Sequence, residues 1–212
     1  MVEHISLGKS FAFLENGTMT PNSADNKLSW ASQASQLLYQ LGGEHTFQPP
    51  PENLHYAMEI GHAIVATCPY DELAGFVKMT PWVVTTEDGD KPEKRGSMAE
   101  NEVDFQKIHD GTVIPVCVEI GSLVVDSVHQ GNNLGKALVN HMVTMSENAY
   151  PTLQKIAVVT NDNVASLHVF NRLQWKIITQ EEAVAQLGID ILDGWEPEST
   201  IFLYQGVKED IS

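Results

Sequence analysis

Six consecutive residues, Gln130-Gly-Asn-Asn-Leu-Gly135, carry the clearest chemical signal in the sequence. The apolar run from Val116 to Val125 before them is short, rich in β-branched residues and bounded by polar ones, which predicts a buried strand. After them Leu134, Leu138, Val139, Met142 and Val143 recur at helical spacing. A strand, a turn of small residues and a helix start leave several backbone N–H groups unpaired and aimed one way, with the positive helix end behind them. The N–H groups of Gln130, Gly131, Asn132, Asn133, Leu134, Gly135 and Lys136 would then form an anion site suited to phosphate. The glycines alone fit an ordinary strand-to-helix connection equally well. The turn lacks both the Gly-Lys-Ser/Thr ending of a nucleoside-triphosphate loop and the three-glycine dinucleotide fingerprint.

The elements that must position this turn follow in chain order. His4 to Leu14 is an apolar lead-in able to form a first strand, and Asn16-Gly17 and Pro21-Asn22-Ser23 are turn signals. Ser23 or Asp25 can cap a helix running to Leu41, where Gly42-Gly43 stop it; on it, Trp30 and Tyr39 read as core residues rather than pocket lining. Behind Pro49-Pro50-Pro51, Glu52 to Ile60 reads as a second short helix. His62 to Thr67 and Leu73 to Thr85 read as a hairpin turning at Pro69-Tyr-Asp-Glu72, and Pro81 demands a bend, bulge or edge position in the second strand. Residues 86–111 are dense in charge, Gly and Pro and read as an exposed acidic loop insertion, either tolerated at the surface or serving as a lid whose acidic residues meet a cationic ligand.

Beyond the central helix, which ends at Ala149-Tyr-Pro151, Ile156 to Thr160 is a short buried strand and Asn161-Asp-Asn163 can cap a helix through Leu173. Trp175 to Thr179 is a strand, Glu181 to Leu187 a helix stopped by Gly188, and Thr200 to Gln205 the last strand. Strands before and after two helices, without strict alternation, predict a mixed α/β sheet in one domain over residues 1–212.

A net charge of −16 with only two arginines argues against a nucleic-acid partner, which needs clustered Lys and Arg. An acidic surface either draws a cationic ligand such as an amine or simply keeps the protein soluble. No run approaches the length of a membrane span, and Met1 to Ser10 lacks the basic start and apolar core of a signal peptide. Cys68 and Cys117 sit in or beside apolar runs and read as free buried thiols, consistent with a cytoplasmic setting. His45, His55 and His62 lack the spacing of a zinc pair, so no metal is expected.

Taken with its surroundings, the turn resembles the acyl-CoA-binding core of the GNAT family of N-acetyltransferases. That family's pattern is Arg/Gln-x-x-Gly-x-Gly/Ala, preceded by a strand that ends in a valine. Gln130 matches the first position, Gly135 the last and Val125 the valine, while Asn133 stands where the middle glycine belongs. Asparagine tolerates left-handed backbone angles best after glycine, so the turn can survive. A second block, Asn163-Val-Ala-Ser-Leu-His-Val-Phe-Asn-Arg-Leu-Gln-Trp175, resembles the family's next helix through Asn163, Ser166, Leu173 and Trp175. Phe170 replaces its tyrosine and Gln174 its glycine. The close match spans residues 116–178, with a weaker topological one from about 60 to 205.

The resemblance implies a mixed, mostly antiparallel central sheet flanked by helices, and acetyl-CoA as cosubstrate. It implies that the turn holds the pyrophosphate, with Lys136 adding charge or merely solvating the helix start. Backbone groups of Leu123, Val124 and Val125 would bind the pantetheine arm, and Asn163, Ser166 and Phe170 would line its far side, Asn163 serving equally well as a helix cap. Glu119 matches the strand glutamate of the histone-acetylating branch and is the expected general base for a primary amine of a small molecule or peptide. Phe170 cannot protonate a departing thiolate, so His168, Tyr150 or His129 would substitute, or no acid is needed. A module that binds acyl-CoA without turnover is the alternative, favoured by the departures at Asn133, Phe170 and Gln174. Homodimers are common in the family.

Overall fold

The two longest apolar runs of the chain become its two longest strands, paired side by side. In the computed structural model, which describes residues 4–6, 10–14, 23–41, 49–68, 72–85, 94–190 and 199–205, these are β4 and β7 of a mixed sheet. The turn signals at Asn16-Gly17, Pro21-Asn22, Gly42-Gly43 and Pro69-Tyr70-Asp71, and positions 86–93 of the acidic stretch, lie outside the described residues.

In chain order the elements are β1 (His4–Ser6), β2 (Ser10–Leu14), α1 (Ser23–Leu41), α2 (Pro51–Glu59), β3 (Ala63–Thr67) and β4 (Leu73–Thr85). There follow β5 (Lys94–Arg95), β6 (Ser97–Met98), α3 (Glu102–His109), β7 (Val113–Val125), a 3₁₀ turn (Ser127–His129) and α4 (Leu134–Ala149). The chain continues through β8 (Gln154–Thr160), α5 (Val164–Arg172), β9 (Lys176–Ile178), α6 (Gln180–Leu187), β10 (Ile189–Asp190) and β11 (Ser199–Leu203). The main sheet runs β1-β2-β3-β4-β7-β8-β11-β9, with β6 added to β4; β5 and β10 form a separate pair. Within the main sheet β7 and β8 are parallel and the other pairs antiparallel. The sheet is thus mixed and mostly antiparallel, as expected.

Helices cover both faces. Leu134, Leu138, Val139 and Met142 of α4 pack with Val118, Ile120, Val77 and Met79 on one face, joined by Phe170 and Trp175. Each such side chain, fully removed from water, contributes about 1.5–3 kcal/mol. On the other face α1 and α2 cover Val65, Phe76 and Val124, whereas α6 covers Ile156, Ile201 and Leu203. The interval between these helices, over the middle of β4 and β7, is where charged side chains enter the sheet face.

Pro81 lies well inside β4, opposite Val118 of β7. Its missing N–H costs no β3 partner, because β3 pairs only as far as Lys78, and a bulge follows between Trp82 and Val83. The expected bulge is present. The stretch 86–111 departs from the expectation of an exposed loop: Asn101 caps Asp104 N at 3.1 Å and starts α3, and Ala99 is buried with its N–H on Pro81 O. Gln174, standing where the related pattern has glycine, takes a left-handed φ of 58° just after α5. Asn133 does the same at φ 59°.

Candidate active site

The site begins where two parallel strands part. The β7–β8 ladder ends at the pair Glu119–Ile156, yet β7 runs on to Val125 and β8 to Thr160. The gap between them opens into a cavity of about 120 Å³ lined by Glu119 to Val125 on one side and Val158 to Thr160, Asn163, Ser166 and Phe170 on the other. In β7 two residues, Ser122 and Leu123, stand against the single Val77 of β4, and Ser122 has φ 50°. Such a bulge bends the strand and re-aims its backbone.

At the strand's end the turn is built by its own side chains. Asp126 caps the 3₁₀ turn through Val128 N at 2.9 Å, Gln130 Nε2 donates back to Val125 O at 3.1 Å, and Asn132 Nδ2 donates to His129 O at 3.1 Å. Gly131 at φ 78° and Asn133 at φ 59° turn the chain into α4. The helices α3, α5 and α6 open on capping side chains, of Asn101, Asn163 and Thr179, whereas α4 opens on Asn133 with no side-chain cap. The first helical ladder bond is Ala137 N to Asn133 O, so the amides of Leu134, Gly135 and Lys136 have no helical partner.

A second cleft of about 270 Å³ lies over this turn, lined by His129, Gln130, Gly131, Asn133, Gly135, Lys136, His168 and Arg172 among others. Gly135 sets its floor: a Cβ there would stand 3.3 Å from Val169 Cγ2, so glycine lets α5 approach α4 closely. Uncapped amides, a helix N-terminus and two cationic side chains in an otherwise acidic chain suit a pyrophosphate, and the gap between β7 and β8 suits a narrow polar arm. These residues fit acetyl-CoA.

Glu119 sits at the far end of the gap. It is 7% exposed, and its Oε2 accepts from Trp82 Nε1 at 2.8 Å. Burial raises its pKa to about 6; the Trp82 hydrogen bond and the Lys78 charge pull the other way, and Glu100 pushes it up. Gly121 leaves room for the carboxylate, since a Cβ there would stand 3.0 Å from Glu119 Oε1. Lys78, opposite Gly121 in β4, is 4% exposed, lines the same cavity and pairs with Glu100 Oε1 at 2.5 Å.

Of the residues singled out by sequence, Glu119, Leu123, Val124, Val125, Gln130, Asn163, Ser166 and Phe170 line the inner cavity; Gln130, Gly131, Asn133, Leu134, Gly135 and Lys136 line the cleft. Asn132 staples the turn instead. Asn163 accepts from Ser166 N at 3.1 Å, so it caps α5 while lining the cavity. Phe170 is buried, stacked on Phe202 and edge-on to Trp175. Tyr150 lines neither space: its hydroxyl shares a 3.3 Å hydrogen bond with His62 Nε2, and burial raises its pKa to about 12. His129 and His168 line the cleft, not the cavity. Trp30 is core, as expected, whereas Tyr39, also read as core, is 72% exposed.

Sequence reasoning missed Trp82, Lys78 and Glu100. A signal existed for the first two: Lys78 is the one charged residue within an apolar strand, and Lys78, Thr80 and Trp82 alternate onto one face. Nothing local pointed to Glu100.

The fold and this paired site define an acyl-CoA-dependent acyltransferase. A model of the acetyltransferase (GNAT) family matches residues 30–175, and the chain belongs to that family. It is an acetyl-CoA-dependent N-acetyltransferase. Among solved structures it is similar to the GNAT domain of S. lividans PAT, with a TM-score of 0.56 and 13% identity over 96% of this chain and 95% of that one. It is also similar to Arabidopsis thaliana NAA60 in complex with acetyl-CoA, with a TM-score of 0.52 and 15% identity over 92% and 97% of the two chains. The diaminobutyrate acetyltransferase EctA from Paenibacillus lautus, in complex with L-2,4-diaminobutyric acid and coenzyme A, gives a TM-score of 0.52 and 11% identity over 94% and 99%. At these identities the likeness is one of fold. A search of curated proteins finds no match. Among the described residues no helix is long and apolar enough to cross a membrane.

Proposed function

We propose that this protein acetylates a primary amine of a small molecule or peptide by direct attack on acetyl-CoA, with Glu119 as the general base. The observation that carries the reading is the placement of a buried carboxylate, its pKa raised to about 6, at the end of the same cavity that leads from the uncapped turn at Gln130–Gly135. A base with that pKa is ionised at neutral pH and still basic enough to accept a proton in the transition state.

Acetyl-CoA supplies the activated acetyl group as a thioester. The turn amides and Lys136 hold its pyrophosphate, and the free edge of β7 at Leu123, Val124 and Val125 pairs with the pantetheine arm. Glu119 takes a proton from the acceptor's ammonium. The freed nitrogen attacks the carbonyl carbon, the C–N bond forms as the C–S bond breaks, and the sulfur leaves as a thiolate. An amide of the bulged strand polarises the carbonyl oxygen, a contribution of about 3 kcal/mol in comparable sites. Phe170 offers no proton, so the thiolate leaves without help from that position.

The test is thiol release from acetyl-CoA across a panel of amines, read beside acetyl-CoA binding by calorimetry. Binding with amine-dependent release is expected, and release should be lost in Glu119→Gln with binding retained. Retained release in that variant would remove Glu119 from the mechanism. Absence of acetyl-CoA binding would overturn the role given to the turn.

A further inference from the structure

We infer that the acceptor is a monocationic amine with no carboxylate beside the amine, and that Glu100 is the residue that sets this preference. The inference rests on the reading of Glu119 and its cavity given above. Among the described residues, the cavity is lined by two charged side chains, Lys78 and Glu119. The charge of Lys78 is already met from behind: its Nζ pairs with Glu100 Oε1, with side-chain exposures of 5% and 13%. Glu100 is itself held in place, because its backbone N–H donates to Asp104 Oδ2 at 3.1 Å and Ala99 beside it is anchored to Pro81 O. On α3, which follows, Asp104 and Lys107 form a partly exposed pair of their own, and Glu102 adds a further acidic group in its first turn.

The Lys78 charge also acts on Glu119, so one cation stands against two carboxylates and the excess negative charge falls on Glu119. Its hydrogen bond comes from the neutral Trp82 indole, which orients the carboxylate without cancelling its charge. A buried carboxylate in this state is answered by a ligand bearing one positive charge. A carboxylate next to the acceptor's amine would meet Glu119 as a like charge. Among the described residues, the one cation that lines the cavity, Lys78, is already held by Glu100. Apolar side chains also face this space beside the uncharged polar ones: Leu38 and Leu41 of α1, Met98 of β6 and Val158 of β8. They suit an uncharged, apolar substituent on the carbon bearing the amine.

Glu100 acts here through Lys78, as a specificity-determining residue. Replacing it with glutamine takes the Glu100 carboxylate from the Lys78 ammonium and leaves that charge better able to pair with a substrate carboxylate, so the variant should gain acceptors that the natural protein rejects. Lys78→Met has no cation to offer and should not gain them.

The experiment measures kcat/KM for thiol release from acetyl-CoA with matched acceptors, phenylalaninamide against phenylalanine and leucinamide against leucine. For the natural protein the amide of each pair is expected to be favoured on the order of 100-fold, the scale of a like-charge juxtaposition in a partly desolvated site. Glu100→Gln should narrow that ratio at least about tenfold, and Lys78→Met should keep or steepen it. Melting curves confirm that each variant is folded; where Glu100→Gln is not, the natural ratio and Lys78→Met decide. Equal use of both members of a pair, an unchanged ratio in folded Glu100→Gln, or a relaxed ratio in Lys78→Met would overturn the inference and leave the transferase standing. Acetyl-CoA binding without release from any acceptor would overturn the reading of Glu119, and this inference with it.

Discussion

Trp82 Nε1 donates to Glu119 Oε2 over 2.8 Å on a diagonal of the sheet, for Trp82 pairs with Cys117 and Glu119 with Thr80. Such a diagonal is within reach of an aromatic side chain. The indole thus reaches past its own partner to fix one carboxylate oxygen. Gly121 leaves the space beside the other oxygen, Oε1, free of a side chain. The candidate base is held from one side and open on the other.

Replacing Trp82 with phenylalanine keeps the ring and deletes the donor. A hydrogen bond to the charged form of a carboxyl lowers its pKa, so its loss should raise that of Glu119 above about 6. The acid limb of kcat/KM against pH should move to higher pH, and activity should fall more at pH 6 than at pH 8. A uniform loss at every pH would assign the indole to packing alone.

Glu119→Gln should lower kcat by roughly 10²–10⁴-fold, the usual share of a general base. The same change should stabilise the protein. A carboxyl with its folded pKa raised to about 6 keeps its proton while the unfolded chain loses one, so stability declines as pH rises from about 4.5 to about 6. That shift corresponds to about 2 kcal/mol at neutral pH, which glutamine would recover. Urea unfolding at pH 7.5 checks it: a midpoint no higher than that of the natural protein would contradict the buried, only partly compensated state described for this residue.

How much of this was legible in the sequence follows from how local each feature is. The strand, turn and helix from 116 to 149 were readable because periodicity, small residues and helix start fall within one window, and the left-handed Asn133 followed from the tolerance of asparagine. The gap between β7 and β8 was not legible, because no local pattern states where a ladder stops. Trp82 and Lys78 needed the register of β4 against β7, which the sequence does not print. Glu100 needed more, since a stretch that reads as an acidic loop folds back, caps itself at Asn101 and buries Ala99 against β4. The helix α3 has no buried residue, so its apolar period was too weak to show.

Two glycines separate backbone strain from function. Gly131 and Gly188 have φ of 78° and 71°, and a Cβ at either would meet nothing within 4 Å. Alanine at each should therefore cost a similar amount, about 1–2 kcal/mol, through left-handed strain alone. Gly188 ends α6, away from the turn, whereas Gly131 lies within it. Matched losses in melting temperature are expected, with weaker acetyl-CoA binding by calorimetry in Gly131→Ala only. Equal binding in the two variants would remove the turn's geometry from cosubstrate recognition.

His62 makes the opposite contribution to pH dependence. It is 8% exposed, edge-on to both Phe105 and Tyr150, and its Nδ1 is buried without a hydrogen-bond partner. Burial lowers its pKa to about 4, so below the ordinary histidine value of 6.5 the unfolded chain takes up a proton that the folded one refuses. Stability is then lost as pH falls from about 6.5 towards 4, by about 3 kcal/mol over the whole window. Glu119 gains stability over much of the same interval as pH falls, and the two effects partly cancel in the natural protein. Single substitutions should expose each one. Relative to the natural protein, His62→Phe should become progressively more stable as pH drops from 7 to 4.5, and Glu119→Gln progressively less so. Unfolding free energies measured at matched pH values test both slopes, and parallel curves for the natural protein and His62→Phe would show that His62 takes up its proton in the folded state.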